Sequence, residues 1–262
     1  MKYIVDHDYH IHSSISPCSS DTLRTPDNIL KQATDANFKR IVITDHFWDL
    51  DLDADCGWWT MLPYEKIASA LPLPQNGKCK FYFGCECDMN KQHEIGIAPD
   101  KYDKFKFIIV ATTHFHMWFN NEISVDDIEK RAELYVERLF KLLYSNLPDK
   151  KVGIAHLTTQ LISKPENHLD IIDLISDEVF AEIFKLAAKR GWGVELNIKL
   201  DMYKEAELPR VLRPYKIAKE CGCKFYFGSD AHAMVDFEGK VEIFNNIVDL
   251  LDLEESDKYL IP

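Results

Sequence analysis

Short apolar runs alternate with longer amphipathic stretches from one end of the chain to the other, which is the pattern of βα units around a parallel sheet. The apolar runs predict strands near 3–10, 41–44, 81–86, 106–112, 152–156, 192–197 and 224–228. Helices between them are placed by their caps. Thr25-Pro26-Asp27 supplies an N-cap, a proline in the first turn and an early acid, with Ile29, Leu30 and Ala33 turned inward. Ser124-Val125-Asp126-Asp127 opens the longest helix, whose Ile128, Ala132, Tyr135, Leu139 and Leu142 fall on one stripe. Ser176-Asp177-Glu178 starts another that closes on Lys189-Arg190 and Gly191. Pro209 begins one that ends at Gly222, and a last helix lies near 240–253. No repeat, low-complexity linker or break in composition interrupts the pattern, so residues 1–262 are expected to form a single α/β domain, a TIM-like barrel of seven strands.

In such a barrel the strand C-termini and the loops after them form one face, where sites are built. The polar residues that end the apolar runs gather there: Asp8-Tyr9-His10-Ile11-His12, Thr44-Asp45-His46, Gly84-Cys85-Glu86, Thr113-His114-Phe115-His116, Ala155-His156 and Gly228-Ser229-Asp230-Ala231-His232. Strand alternation predicts that Asp8, His10 and His12 share a face. One histidine at a strand end is ordinarily a hydrogen-bonded polar residue. His10, His12, His46, Glu86, His114, His156, Asp230 and His232 together would be an uncompensated polar cluster without cations. They exceed the needs of one ion, and Glu86 and Asp230 can each bridge through two oxygens. Two or three divalent transition-metal ions within about 4 Å of each other would share them, and a water bridging such ions is acidified enough to attack a phosphate ester. His7 has the opposite parity to His10 and should point away. His116 shares the face of His114 but lies beyond the strand, a candidate for substrate contact. The long connections Phe47 to Trp59, Thr158 to Ile175 and Lys199 to Leu208 fall on the same face.

Composition narrows the ligand. A net charge of −12, spread along the chain, argues against a groove that tracks a phosphodiester backbone and for a small molecule over nucleic acid. No run of about 18 apolar residues exists to cross a membrane, and the N-terminus lacks the features of a signal peptide, so a cytoplasmic location is expected. The seven cysteines show no C-x-x-C spacing and should be reduced. Cys85 and Cys87 flank Glu86 and should face away from it, while Cys221 and Cys223 lie where a helix stops.

The ordered motifs Asp8-x-His10-x-His12-Ser13, Ile43-Thr44-Asp45-His46, the Glu86 strand, the His114 and His156 strand ends and Gly228-Ser229-Asp230-Ala231-His232 resemble those of the PHP (polymerase and histidinol phosphatase) superfamily, over nearly the whole chain. The resemblance implies a distorted (β/α)7 barrel with a trinuclear zinc, manganese or iron site that hydrolyses phosphate esters. It implies that His10 and His12 hold a first metal with bridging Glu86 and Asp230, that Glu86, His114 and His156 hold a second, and that His46, His232 and a residue six beyond the H-x-H pair hold a third. That residue is Asp or His in the family and Cys18 here. A thiolate is a plausible zinc ligand; the alternative is a core thiol beside a two-metal centre. Glu86, Asp230 and His232 are the catalytic candidates, with Asp230 a source of the proton for the leaving oxygen. Histidinol phosphatases of the family tend to carry a basic residue soon after the strand-five histidine, whereas His156 is followed by Leu157-Thr158-Thr159-Gln160. Lys164 is the nearest cation, and Lys199, Arg210 and Arg213 are the other candidates for gripping phosphate, each otherwise a surface cation. The expected function is metal-dependent hydrolysis of a small phosphorylated metabolite, as a phosphomonoesterase (histidinol-phosphatase-like included) or small phosphodiesterase. The alternatives are an amidohydrolase-like C–N hydrolase, which would need a bridging lysine or its equivalent in place of Glu86, a non-catalytic metal-binding domain, and a polymerase-associated nuclease, for which a basic groove is missing.

Overall fold

The computed structural model of the chain describes residues 1–54, 57–116 and 123–262. In chain order its elements are β1 (His7–Ile11), α1 (Pro26–Asp35), β2 (Arg40–Ile43), β3 (His46–Phe47), α2 (Tyr64–Ala68), β4 (Lys80–Asp88), β5 (Phe107–Ala111), α3 (Ile128–Leu143), β6 (Val152–Ile154), α4 (His168–Leu174), α5 (Asp177–Arg190), β7 (Gly193–Leu196), α6 (Leu208–Glu220), β8 (Lys224–Phe227) and α7 (Lys240–Leu250). The strands pair in the order β1-β2-β4-β5-β6-β7-β8, every ladder parallel, with β3 beside β4. Parallel strands need crossovers and are covered on both faces, and β1 and β5 are accordingly buried at every position.

The seven-strand barrel read from the sequence is present, with β3 as an eighth, two-residue strand that pairs His46 and Phe47 with Glu86 and Cys87. Thr25 and Ser176 cap α1 and α5 through their side chains, and Gly191 ends α5 at φ 64°. The longest helix starts later than expected. Asp127, not Ser124, caps it, accepting the Lys130 N–H. The first strand is also shorter, because Tyr3 leaves the barrel wall to donate its backbone N–H to the Leu253 carbonyl.

Side chains sort into two apolar layers. Strand residues of alternate parity, such as Ile108 and Val110, pack with helix residues including Leu30, Leu139, Phe184 and Ile247. The other parity, with Tyr9, Val42, Phe107, Ile109 and Tyr226, forms a separate cluster with Ala155 and Tyr259 and no helix residue, which fills the barrel interior below its mouth. A register shift between Asp8 and Ile11, of the kind a bulge produces, overrides the simple alternation expected for β1. Tyr9 enters the interior, and Asp8 turns to the seam with β8, accepting the N–H groups of His10 (3.2 Å) and Ser229 (3.0 Å).

β1 and β8 close the barrel without a continuous ladder. At the mouth, Asp230 N–H donates to the His10 carbonyl (2.8 Å) and His12 N–H to the Ala231 carbonyl (3.2 Å). Deeper, side chains replace the ladder: His7 Nε2 accepts the Phe227 N–H (3.1 Å) and Tyr3 OH donates to the Phe225 carbonyl (2.8 Å). The seam thus accounts for the opposite parity of His7. Buried Arg24 staples its open end, donating to the carbonyls of His12 and Ala231 at 3.0 Å each. Among the described residues no helix is long and apolar enough to cross a membrane. Of the cysteines, Cys85 and Cys87 are buried with sulfurs 3.6 Å apart, Cys223 is buried, and Cys56 lies outside the described residues.

The interior leaves no room at Gly153, where a Cβ would stand 2.4 Å from Tyr226 Oη and 2.6 Å from Phe107 Cζ. Gly153→Ala should destabilise the fold by about 1–3 kcal/mol through overpacking, and urea unfolding with an unchanged slope and a lowered midpoint is the expected readout.

Candidate metal centre at the barrel mouth

The seam brings the chemistry together. His10 Nε2 lies 3.2 Å from His12 Nε2, 3.2 Å from Glu86 Oε2 and 3.5 Å from Asp230 Oδ1; His12 Nε2 lies 3.3 Å from the same Glu86 oxygen and 3.1 Å from the same Asp230 oxygen. An imidazole Nε2 carries at most one hydrogen, so most of these contacts cannot be hydrogen bonds. Donors held at the bond lengths of a tetrahedral zinc ion stand ~3.3 Å from one another, and the observed separations bracket that spacing.

Glu86 divides its two oxygens. Oε2 faces His10, His12 and His46 Nδ1 (3.3 Å), whereas Oε1 faces His156 Nε2 (3.3 Å) and His114 Nε2 (3.8 Å). Three groups result whose ligand-type atoms all lie within 4.8 Å of one another: His10, His12 and Glu86; Glu86, His114 and His156; and His12, Cys18, His46 and His232. The rings of the last group stack, with centroids of His12 and His232 4.4 Å apart and those of His12 and His46 4.8 Å apart.

The far sides of four of these imidazoles are fixed. His10 Nδ1 meets Glu195 Oε1 at 2.6 Å, His114 Nδ1 meets Asp88 Oδ1 at 2.5 Å, His156 Nδ1 meets Thr113 Oγ1 at 2.7 Å, and His232 Nδ1 meets the Asp230 carbonyl at 2.8 Å. Each contact leaves Nε2 turned to the mouth, the arrangement by which outer partners orient metal-ligating histidines. Glu195 also accepts the His156 backbone N–H through Oε2 (2.6 Å). It thereby helps hold His156 at φ 23°, and the Asp230 N–H bond to His10 holds Asp230 at φ 53°. Such backbone costs free energy and persists where the surroundings over-determine it.

Electrostatics point to a demand for cations. Burial alone would raise the Glu86 carboxyl, but His46 and His10 hold it well below the carboxylate range. Burial would lower His10, yet Glu195, Glu86 and Asp230 push it well above an ordinary imidazole. Burial likewise opposes ionisation of Cys18, while His12, with hydrogen bonds from His232 and His46, brings its thiol down to about 3. Cys18 is exposed, so it is not the core thiol weighed from the sequence but stands at the rim of the cluster; buried carboxylates with a thiolate at their edge select for positive charge, as protons or as metal ions. The donor set, nitrogen with oxygen and one sulfur, fits a borderline divalent ion.

Every ligand candidate named from the sequence meets at this mouth, Cys18 included. His116 lies at the rim of a cavity of about 370 Å³ with Trp58, Leu161 and Asp230, and burial followed by the charge of His114 lowers its pKa to about 4. Lys199 lines a neighbouring cavity of about 150 Å³. Arg210 and Arg213 are engaged away from both cavities. Arg210 pairs with Asp173 (2.6 Å) and Asp170 (2.5 Å) of α4, and Arg213 with Asp177 (2.7 Å) and backbone carbonyls, so both brace the helical layer. Lys164 pairs with Asp126 (2.6 Å). Sequence reading assigned no part to Glu195, Asp88, Asp45, Thr113 or Arg24. Asp88 carried a signal, since it lies two residues beyond Glu86 on one strand and shares its face; it also accepts the Trp59 Nε1–H at 3.1 Å. Asp45 binds Ser13 through both oxygens at 2.7 Å each, tethering β1 to β2.

The sequence profile described as PHP domain matches residues 8–199. Similar solved structures include histidinol phosphate phosphatase from Lactococcus lactis subsp. lactis, complexed with zinc, L-histidinol and phosphate, at 14% identity over 97% of this chain and 98% of that chain, TM-score 0.54. The putative histidinol phosphatase of Listeria monocytogenes is similar at 14% identity over 91% of this chain and 99% of that one, TM-score 0.63. At this identity the likeness is one of fold. No curated protein sequence matches the chain.

Glu195→Gln keeps the side-chain volume but loses one of two acceptors, so metal retention should fall about 10–100-fold in competition with a graded chelator. Gly228→Ala should act in the same direction, because its Cβ would stand 2.0 Å from Glu195 Oε1 and 2.6 Å from His10 Cβ. Unchanged retention in both variants would count against an orienting role for Glu195.

Proposed function

The chain belongs to the PHP domain family, a metal-dependent phosphoesterase fold, and from that premise we propose that it hydrolyses a small phosphorylated metabolite with two or three divalent ions held at the barrel mouth. The observation that carries this reading is the division of Glu86 between two sets of imidazoles, a position suited to a carboxylate bridging two cations. In this assignment His10, His12, Glu86 and Asp230 would hold one ion, Glu86, His114 and His156 a second, and Cys18, His46 and His232, with His12 adjacent, a third. Bound ions of this class acidify water and draw electron density from phosphoryl oxygens.

The protein's own groups do the rest. Glu86 and the four outward-anchored histidines fix where charge is placed, so little reorganisation accompanies reaction. Asp230 borders both cavities. Burial would raise its carboxyl, but His10 and His12 hold it far down, so it stays ionised, which suits it to hold a cation; its place between the two cavities, not its basicity, makes it the candidate to take the proton of the attacking water and pass it to the leaving oxygen. His232 sits at the open side with its Nε2 free of the Asp230 carbonyl contact. Trp58, edge-on to His46 at 4.9 Å, and Leu161 shield the phosphoryl position from bulk water. An amidohydrolase-like centre would place a lysine where Glu86 stands.

Protein purified without chelator should contain two or three equivalents of zinc, manganese or iron by elemental analysis, and a panel of phosphomonoesters and small diesters should be hydrolysed only with those ions present. His114→Ala and Glu86→Ala should each lower the rate by roughly two or more orders of magnitude. Activity confined to amides or lactones would reject the phosphoesterase reading.

Cys18 should bias the third position toward zinc, since thiolates favour softer ions. With cobalt(II) as a spectroscopic stand-in, a sulfur-to-metal absorption band should appear in the wild type and vanish in Cys18→Ser. Cys18→Asp should shift the metal preference toward manganese. A full metal complement and unchanged preference in Cys18→Ala would reduce Cys18 to an exposed thiol beside the cluster.

A further inference from the structure

Two cavities open onto the cluster and share Leu161 and Asp230 as a common wall. The larger covers Cys18, His46, His114 and His232, where the ions and the scissile phosphoryl group would lie. The smaller runs from His156 toward Gln160, Asn197 and Lys199, so an alcohol leaving from the mouth in that direction enters it.

Most polar groups of the smaller cavity are already committed. Tyr203 OH bonds His168 Nε2 (3.0 Å) and the Thr158 carbonyl (3.1 Å), Thr158 Oγ1 meets Tyr215 OH (3.2 Å), and Thr159 Oγ1 accepts the Leu161 N–H (3.4 Å). Gln160, Asn197 and Lys199 differ: among the described residues their side chains have no hydrogen-bond or ion-pair partner. Asn197 is only 9% exposed, so its amide is held in place at the cavity wall while still open to a ligand or water as its hydrogen-bond partner. Lys199 is a cation left unpaired in a chain of net charge −12, whereas Lys164, Arg210 and Arg213 each hold a carboxylate. Among the described residues the one carboxylate on this cavity's wall is Asp230, which faces the metal cluster.

A wall of one ammonium and two amides, with no carboxylate to spare among the described residues, attracts negative charge and opposes a cationic alcohol. We propose that the alcohol half of the ester carries a second anionic group, a carboxylate or a phosphate, which the smaller cavity holds through Lys199 Nζ and the amides of Asn197 and Gln160. This specificity rests on the phosphoesterase reading, and it separates the substrate from amino-alcohol phosphates.

The test uses the metal-loaded full chain and three series of phosphomonoesters of two to six carbons that differ only at the far end: carboxylate, methyl or ammonium. For the wild type, kcat/KM should be highest for a carboxylate ester and lowest for the ammonium esters. Lys199→Met should raise KM for the best carboxylate ester about tenfold and leave the methyl esters within about twofold. An equal rise on all three series would assign Lys199 to the scissile phosphate, and a wild-type preference for ammonium esters would overturn the proposal outright. Calorimetric binding of the non-hydrolysable carboxyalkyl phosphonates, against the alkyl phosphonates, separates the two readings. Lys199-dependent preference for the carboxylate without hydrolysis of any ester would keep the anion site and reject the phosphoesterase assignment; hydrolysis without that preference would do the reverse.

Discussion

One buried carboxylate organises the mouth of this barrel. Glu86 sits among five imidazoles, with one oxygen toward His10, His12 and His46 and the other toward His114 and His156. A carboxylate so placed could not stay ionised without nearby positive charge, and imidazoles so crowded could not stay protonated without the carboxylates. The strand ends are therefore interdependent. Glu195 extends the dependence outward by holding His10 and the His156 backbone at once, and Gly228 makes room for it.

The electrostatic cluster and the barrel closure occupy the same few residues. Main-chain bonds that join β1 to β8 at the mouth come from His10, His12, Asp230 and Ala231, three of which also supply ligand-type side chains. Below them the wall is completed by side chains, with His7 and Tyr3 standing in for ladder bonds. The irregular first strand is the cost of this arrangement: a register shift at Asp8 lets Tyr9 fill the interior while His10 and His12 still face the mouth.

The strand and helix order was legible because apolar runs and caps are local signals. Pro26 with Thr25, and Ser176 with Gly191, mark helix ends through chemistry that neighbours in sequence complete. The ligand set was legible for a different reason: histidines and carboxylates at successive strand ends converge in any closed barrel. Long-range pairing was not legible. Glu195, Arg24 and Asp45 act on residues 185, 12 and 32 positions away respectively, and nothing in their local sequence names the partner. The same limit explains Arg210 and Arg213, whose carboxylate partners lie on other helices, in α4 and at the start of α5. The bulge in β1 was hidden too, since alternation of Asp8, His10 and His12 looks regular until β8 is in place.

The sharing of residues between seam and cluster couples two processes that are separate in most barrels. A cation held between the side chains of His12 and Asp230 would tie the first strand to the last across the one junction that lacks a continuous ladder. Ion binding is then also topological closure of the ring, and its free energy is felt as resistance of that junction to opening. Amide hydrogens of His12 and Asp230, the two donors that cross the mouth of the seam, would exchange with solvent through seam opening in the ion-free protein and through wider unfolding in the loaded one, while amides of β4 and β5 on the far side of the ring keep the same protection in both.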